Sequence, residues 1–387
     1  MGNGPEGEKS KVAIMRCGSY DVNELTEKIN GAAESLGGWD DFVRPGMTVL
    51  LKVNLISPLP PQSAAVTHCE FARAVTRILK NLGCEVWIGD SSGGAFGRKA
   101  QTAKCFEVSG MNKVAKEEGA VIKNFEKEGV TAVTVSGGGV MHIAKPLFDA
   151  DVVINLPKFK THMFTGFTGA YKNLFGCIPG LKKAEYHKTA QDPESFGRVL
   201  YEINRNLRIG LNIMDAVEAM DGQGPVGGRV YRAGKIMMSA DRLALDSAAL
   251  MMIGLDIEDM PVYAAALENG FGKWRESDVE ITGNFDSPPR LRGFKVPAMF
   301  LGRARKSRIF GRIVDVLKKK PSINPKACKK CRVCENSCPM KAIDIGTFTI
   351  DYTKCINCMC CHEMCVYKAI KLVNANPPLK TIFGRKN

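Results

Sequence analysis

The sequence lacks most of the signatures that assign a chain quickly. No apolar run approaches the ~20 residues that cross a bilayer, so no transmembrane segment is expected. The start, MGNGPEGEKSKVAIM, has no apolar core of a signal peptide. Glu6 stands where N-myristoylation at Gly2 needs Ser or Thr. A cytoplasmic protein with a soluble N-terminal tail is the expectation. There is no Walker loop and no G-x-S-x-G elbow. Gly137-Gly138-Gly139 misses the G-x-G-x-x-G register of a dinucleotide fingerprint. Acids are nearly missing from one stretch. Between Arg290 and Lys330, Asp315 alone faces fourteen Lys and Arg. Nearly all of the net charge of +14 therefore belongs to one segment, and the high pI does not mark a specific nucleic-acid binder.

Cysteine, by contrast, is abundant. Nine of the fourteen fall between Cys328 and Cys365. The other five (Cys17, Cys69, Cys84, Cys105, Cys177) are scattered, as expected of reduced core thiols in a cytosolic protein. The length of 387 residues predicts two or three units.

From Lys11 to about residue 285, strand and helix patterns alternate. Lys11–Cys17, Met47–Ile56, Cys84–Gly89, Asp151–Leu156 and Leu211–Val217 are apolar strand candidates. Glu70–Leu82, Phe196–Leu207 and Leu243–Ile253 have helical periodicity, and Asp21 suits the cap of another helix. This order predicts an α/β domain with a mainly parallel sheet and flanking helices over 11–289, after a flexible tail at 1–10. A basic connector over 290–321 and a small α+β ferredoxin-like two-cluster domain with its tail over 322–387 complete the expected organisation. Within the connector, 303–320 reads as a basic amphipathic stretch. Three roles stay open for it: a helix packed on its own domain, a dock for an acidic redox partner protein, or peripheral contact with an anionic membrane.

The cysteine spacing carries the sharpest chemistry. Cys328-x2-Cys331-x2-Cys334-x3-Cys338-Pro339 is followed by Cys355-x2-Cys358-x2-Cys361-x3-Cys365. Lys341-Ala342-Ile343 recurs as Lys368-Ala369-Ile370 at the same interval. This resembles the bacterial two-cluster ferredoxin module over roughly Ile323–Val373. Two-residue gaps let three thiolates wrap one cubane, and the fourth cysteine reaches the other. Two [4Fe-4S] clusters are expected, one on Cys328, Cys331, Cys334 and Cys365, the other on Cys355, Cys358, Cys361 and Cys338. Zinc is the alternative metal, and it fits this duplicated register poorly. Val366 stands where the pattern has proline. Cys360 is a ninth cysteine, either a small packed residue or a substitute ligand or redox thiol.

In the larger domain, Lys158, Lys160, His162, Lys172 and Asn173 cluster directly after the Asp151–Leu156 strand. Ligands of open α/β sheets bind at strand carboxyl ends, and lysines there suit an anion. His162 is the candidate acid/base or metal ligand. Exposed loop cations beside a hydrogen-bonded histidine are the plainer alternative.

Leu51-Lys52-Val53-Asn54-Leu55, Ile88-Gly89-Asp90-Ser91, Asn155-Leu156-Pro157-Lys158-Phe159-Lys160-Thr161-His162, Lys172-Asn173-Leu174-Phe175-Gly176 and Asp221-Gly222-Gln223-Gly224-Pro225 resemble the Domain of Unknown Function 362 family. The family pattern has Lys-Pro-Asn where this chain has Lys52-Val53-Asn54. The resemblance spans roughly 11–285 and implies an iron–sulfur protein without fixing a reaction. An iron–sulfur oxidoreductase acting on an anionic substrate at this cluster is one expectation. A non-catalytic electron carrier, assembly factor or redox sensor, whose α/β domain docks a partner protein, is the other. Oxygen-sensitive clusters suggest an anaerobe.

Overall fold

The computed structural model describes residues 9–93, 95–96, 99–180, 182–297 and 319–374. The stretch 298–318, and with it most of the expected amphipathic segment, lies outside the described residues, as does the tail after 374.

The strand candidates assemble into one ten-stranded sheet. Its strands in chain order are β1 Ser10–Arg16, β2 Thr48–Lys52, β3 Glu85–Asp90, β4 Val121–Asn124, β5 Val152–Asn155, β6 Lys158–His162, β7 Gly166–Phe167, β8 Leu211–Asp221, β9 Arg229–Ser239 and β10 Val279–Gly283. The main path runs β10-β1-β9-β8-β5-β2-β3-β4, with β6 pairing β8 and β7 pairing β6. Parallel pairs dominate, from β8 through β5, β2 and β3 to β4. The exceptions are β9, antiparallel to both β8 and β1, and β7 against β6. The fold is therefore an α/β domain built on a mostly parallel mixed sheet with flanking helices.

Alternate residues of the central strands go to opposite faces, as the two-residue pleat requires. Leu50, Val153 and Met214 join the core on one face. Val49, Leu51, Ile154 and Ile213 join the core on the other. Both faces are covered, which explains the unbroken apolar runs. Asp21 caps helix α1 (Val22–Glu34) by accepting from the Asn23 and Glu24 amides. Helix α2 (Cys69–Asn81) lies close to the expected limits.

One segment departs from the expectation. Lys158–His162, read as a loop, is strand β6, buried along its whole length. It pairs with β8 through an irregular register between Lys158 and Lys160. A short helix α3 (Gly169–Asn173) follows, and the longer α4 (Pro193–Arg205) and α5 (Arg242–Met252) pack on the sheet.

In the cysteine-rich segment, β11 (Lys319–Ile323) pairs antiparallel with β14 (Ile370–Asn374). β12 (Ile343–Asp344) pairs with β13 (Thr349–Ile350), and two short helices, α6 (Val333–Asn336) and α7 (Cys360–Met364), sit among the cysteines. β11 begins before the expected boundary at 322 and takes Lys319 and Lys320 out of the amphipathic stretch.

Candidate functional site

The carboxyl ends of β2, β3 and β6 open into a cavity of about 730 Å³ of empty space. Lys52, Asp90, Lys160, His162, Lys172 and Asn173 line it from the α/β domain. The cysteine-rich segment closes the other side with Ser337, Cys360, Glu363 and Met364.

The lysines differ in how they are held. Lys52 and Asp90 form an ion pair of 2.8 Å with both side chains buried. Gly176 is required beside them, because a Cβ there would lie 2.5 Å from Asp90 Oδ1 and 2.7 Å from Lys52 Nζ. Lys160 donates to Asn54 Oδ1 at 2.7 Å and to the Ala65 carbonyl. Burial first, then Lys172, pushes its ammonium well below the usual lysine range. Lys183 donates to the Ser91 and Ser92 carbonyls and to Ser91 Oγ, and burial brings it down to about 8. Lys172, among the described residues, has no hydrogen-bond or ion-pair partner. Burial lowers it, opposed chiefly by Glu363.

Asn173 is held at both ends of its amide. Its oxygen accepts from Asn54 Nδ2 at 2.6 Å and its nitrogen donates to Asn155 Oδ1 at 2.8 Å. It fixes the floor of the cavity and has little capacity left for a ligand.

His162 has a defined tautomer. Its Nδ1 accepts the Phe164 and Thr165 amides at 3.2 and 3.3 Å. Burial first, then Lys172 and Lys160, holds its pKa well below the usual histidine range, so the ring is neutral. The single proton therefore sits on Nε2. That atom stands 3.1 Å from Glu363 Oε1, and both atoms are buried without a hydrogen bond. Thr168 Oγ1 and His187 Nδ1 are likewise buried and unpartnered. All four atoms belong to residues that line this cavity. Buried polar atoms normally have partners, so such a concentration marks a place for a polar ligand.

Lys158 does not join the cavity. Its ammonium is closed off by Asp215 Oδ2 at 2.7 Å and Tyr20 OH at 2.8 Å. Tyr20 stacks on His68 over this pair at 3.6 Å. The expected cluster thus divides: Lys160, His162, Lys172 and Asn173 meet, and Lys158 belongs to a satisfied structural group.

The eight repeat cysteines fall into two sets around two further cavities. Cys328, Cys331, Cys334 and Cys365 line one of about 310 Å³. Cys338, Cys355, Cys358 and Cys361 line the other, of about 340 Å³. Cys338 and Cys365 therefore cross over to the opposite repeat. Left-handed backbone repeats with the cysteines, at Lys330, Arg332 and Lys341 and again at Asn357, Met359 and Lys368. Such φ values are uncommon outside glycine, so the loops are bent for a purpose. Amides of Lys330, Ala342 and Ala369 point at the sulfurs of Cys328, Cys338 and Cys365 at 3.2–3.4 Å. Each set surrounds a space and not a point, and among the described residues no group of three or more His, Cys, Asp or Glu is placed to hold a single metal ion. Cys360 lines both the second cysteine cavity and the large polar one.

Residues 49–251 match the family described as Domain of unknown function (DUF362). The chain belongs to that family. This DUF362 chain is also similar to the Thylakoid-associated protein sll1697 of Synechocystis sp. (strain ATCC 27184 / PCC 6803 / Kazusa), at 34% identity over 255 residues, or 66% of this chain and 78% of that protein. Among solved structures, the lactate racemase apoprotein from Thermoanaerobacterium thermosaccharolyticum aligns at 12% identity with a TM-score of 0.39, over 64% of this chain and 58% of its own. Among the described residues no helix is long and apolar enough to cross a membrane.

Among the residues lining this cavity, Lys183, His187 and Glu363 escape a sequence reading. Glu363 alone gave a signal, as an acid placed between Cys361 and Cys365. His187 stacks on Phe196 at 4.8 Å, and burial followed by Lys172 brings it down to about 3. The unfolded chain protonates this ring near the ordinary value of about 6.5, and the folded chain does not. Its contribution to stability is complete above that pH and falls as the pH drops toward 3, by about 1.4 kcal/mol per pH unit. His187→Phe is expected to flatten the loss of stability between pH 7 and 5 by about one proton's worth. Urea midpoints of parent and variant at the two pH values check this.

Proposed function

We propose that the chain is an iron–sulfur protein carrying two [4Fe-4S] clusters, and that it exchanges electrons with a small anionic substrate held in the cavity at the carboxyl ends of β2, β3 and β6. The eight repeat cysteines fit the clusters: two sets of four, each around a space, with backbone amides turned toward the sulfurs. When bound, such clusters supply one-electron transfer. The chain's own residues do the rest. Lys172 attracts the anion, and His162 offers the Nε2 proton as a hydrogen-bond donor. With its Nδ1 already accepting two amides, His162 orients and polarises and does not serve as a base.

The observation that carries this reading is the position of Cys360, which walls both the second cysteine cavity and the polar cavity. An anion in the one and a cluster in the other would thus have Cys360 between them. The basic connector suits an acidic redox protein as electron donor, and cluster chemistry suits a reducing cytoplasm.

Reduced, anaerobic protein challenged with metabolite pools tests the reading. Pools of small organic anions are expected to re-oxidise it, and Lys172→Met is expected to slow that step by about tenfold or more, the worth of about 1.4 kcal/mol. Re-oxidation by an acidic redox protein with no response to any small anion would favour a carrier instead.

A further inference from the structure

The unpartnered groups of the cavity have a chemistry of their own. Lys52 is matched by Asp90, Lys160 by Asn54 and the Ala65 carbonyl, and Lys183 by Ser91 and Ser92. Thr168 Oγ1 and His162 Nε2 are buried without a partner, Lys172 lines the same cavity, and all three can donate. Donors converging on a cavity call for ligand oxygens, and the ammonium calls for a negative one.

Two observations narrow the anion. Phosphate sites recruit free backbone amides at a helix start or nest. Here the first amides of α3, those of Ala170 and Tyr171, are taken by Asp246 at 2.6 and 3.0 Å. Gly169 admits that carboxylate, because a Cβ there would lie 2.3 Å from Asp246 Oδ1. The second observation is Glu363 Oε1, a buried acceptor with no donor, 3.1 Å from His162 Nε2. An oxygen that both accepts from His162 and donates to Glu363 must carry a hydrogen of its own, which a ligand hydroxyl does and a carboxylate oxygen does not.

The geometry points to a small hydroxycarboxylate as the ligand of this cavity: its carboxylate on Lys172 and Thr168, its hydroxyl between His162 Nε2 and Glu363 Oε1. This rests on the anion-site reading above and names the class of anion.

Calorimetric titration of the intact, cluster-loaded oxidised protein with glycolate, acetate and inorganic phosphate tests it. Glycolate is expected to bind at least about tenfold more tightly than acetate, the worth of one good hydrogen-bonding group, with phosphate weakest. Lys172→Met abolishes binding of both acids. His162→Phe lowers glycolate to the level of acetate. If Lys172→Met does not fold, Thr168→Val carries the test through a weakened glycolate affinity. Equal affinity for glycolate and acetate, tighter binding of phosphate, or unchanged glycolate affinity in the variants overturns the assignment. Because no turnover is involved, failure here with re-oxidation intact removes only the ligand class. Glycolate binding with electrons withheld from every anion overturns the electron-transfer reading instead.

Discussion

Cys365→Ala is expected to lower the iron content by about half, to about four irons per chain, and the loss falls on the Cys328 set. Cys365 closes the second run in sequence, yet it lines the cavity of Cys328, Cys331 and Cys334. Iron counting in single variants does not separate a crossed from an uncrossed arrangement, since either loses one cluster. A double variant does. With crossed ligands, Cys328→Ala and Cys365→Ala damage the same cluster, so together they still leave about four irons. With uncrossed ligands they damage both clusters, and the double variant is nearly free of iron. Cys338→Ala combined with Cys355→Ala gives the mirror test. Cys360→Ala is expected to keep the full complement, because Cys360 stands outside both foursomes while still lining the second cavity.

Asp90→Asn is expected to be the most destabilising single change near the polar cavity. Its carboxylate pairs with Lys52 at 2.8 Å in a place where neither side chain reaches water. It also accepts the Leu55 amide at 2.6 Å and the Ser91 amide at 2.7 Å. Neutralising it leaves the buried Lys52 charge uncompensated beside the Val53 and Asn173 carbonyls, and the new NH2 faces either the Leu55 amide or Lys52 and the Ser91 amide. Breaking a buried pair from one side costs about 3–5 kcal/mol. In a domain of this size that is a drop of about 6–15 °C in the thermal midpoint. Adding Lys52→Met is expected to recover part of the loss, since the orphaned charge goes with it. A single variant within about 1 kcal/mol of the parent would show that water or relaxation serves Lys52 equally well.

How much of this was legible in the sequence depended on how local the cause is. β2, β3 and β5 are buried on both faces, so each announced itself as an apolar run. The Asp21 cap needs only the residues that follow it. β6 was hidden for the opposite reason. Two lysines in five residues look like a loop, and what buries them comes from far along the chain. Asp215 and Tyr20 neutralise Lys158, and Asn54 and Ala65 receive Lys160. β9 was missed because Arg229, Arg232 and Lys235 interrupt its apolar pattern where its first half meets solvent. The cysteine grouping was legible because repeat spacing encodes it. The polar cavity was legible only in part. Lys160, His162, Lys172 and Asn173 lie in one sequence neighbourhood, whereas Lys183 and His187 reach the same cavity from a segment without a periodic or motif signal, and Glu363 reaches it from inside the second cysteine run, far along the chain.

The claim on which the rest stands is that the two cysteine sets hold cubane clusters. Anaerobic purification followed by counting of iron, acid-labile sulfide and zinc tests it most directly. The expected result is about eight irons and about eight sulfides per chain with zinc at background. Stoichiometric zinc, or iron without an equal amount of sulfide, contradicts it.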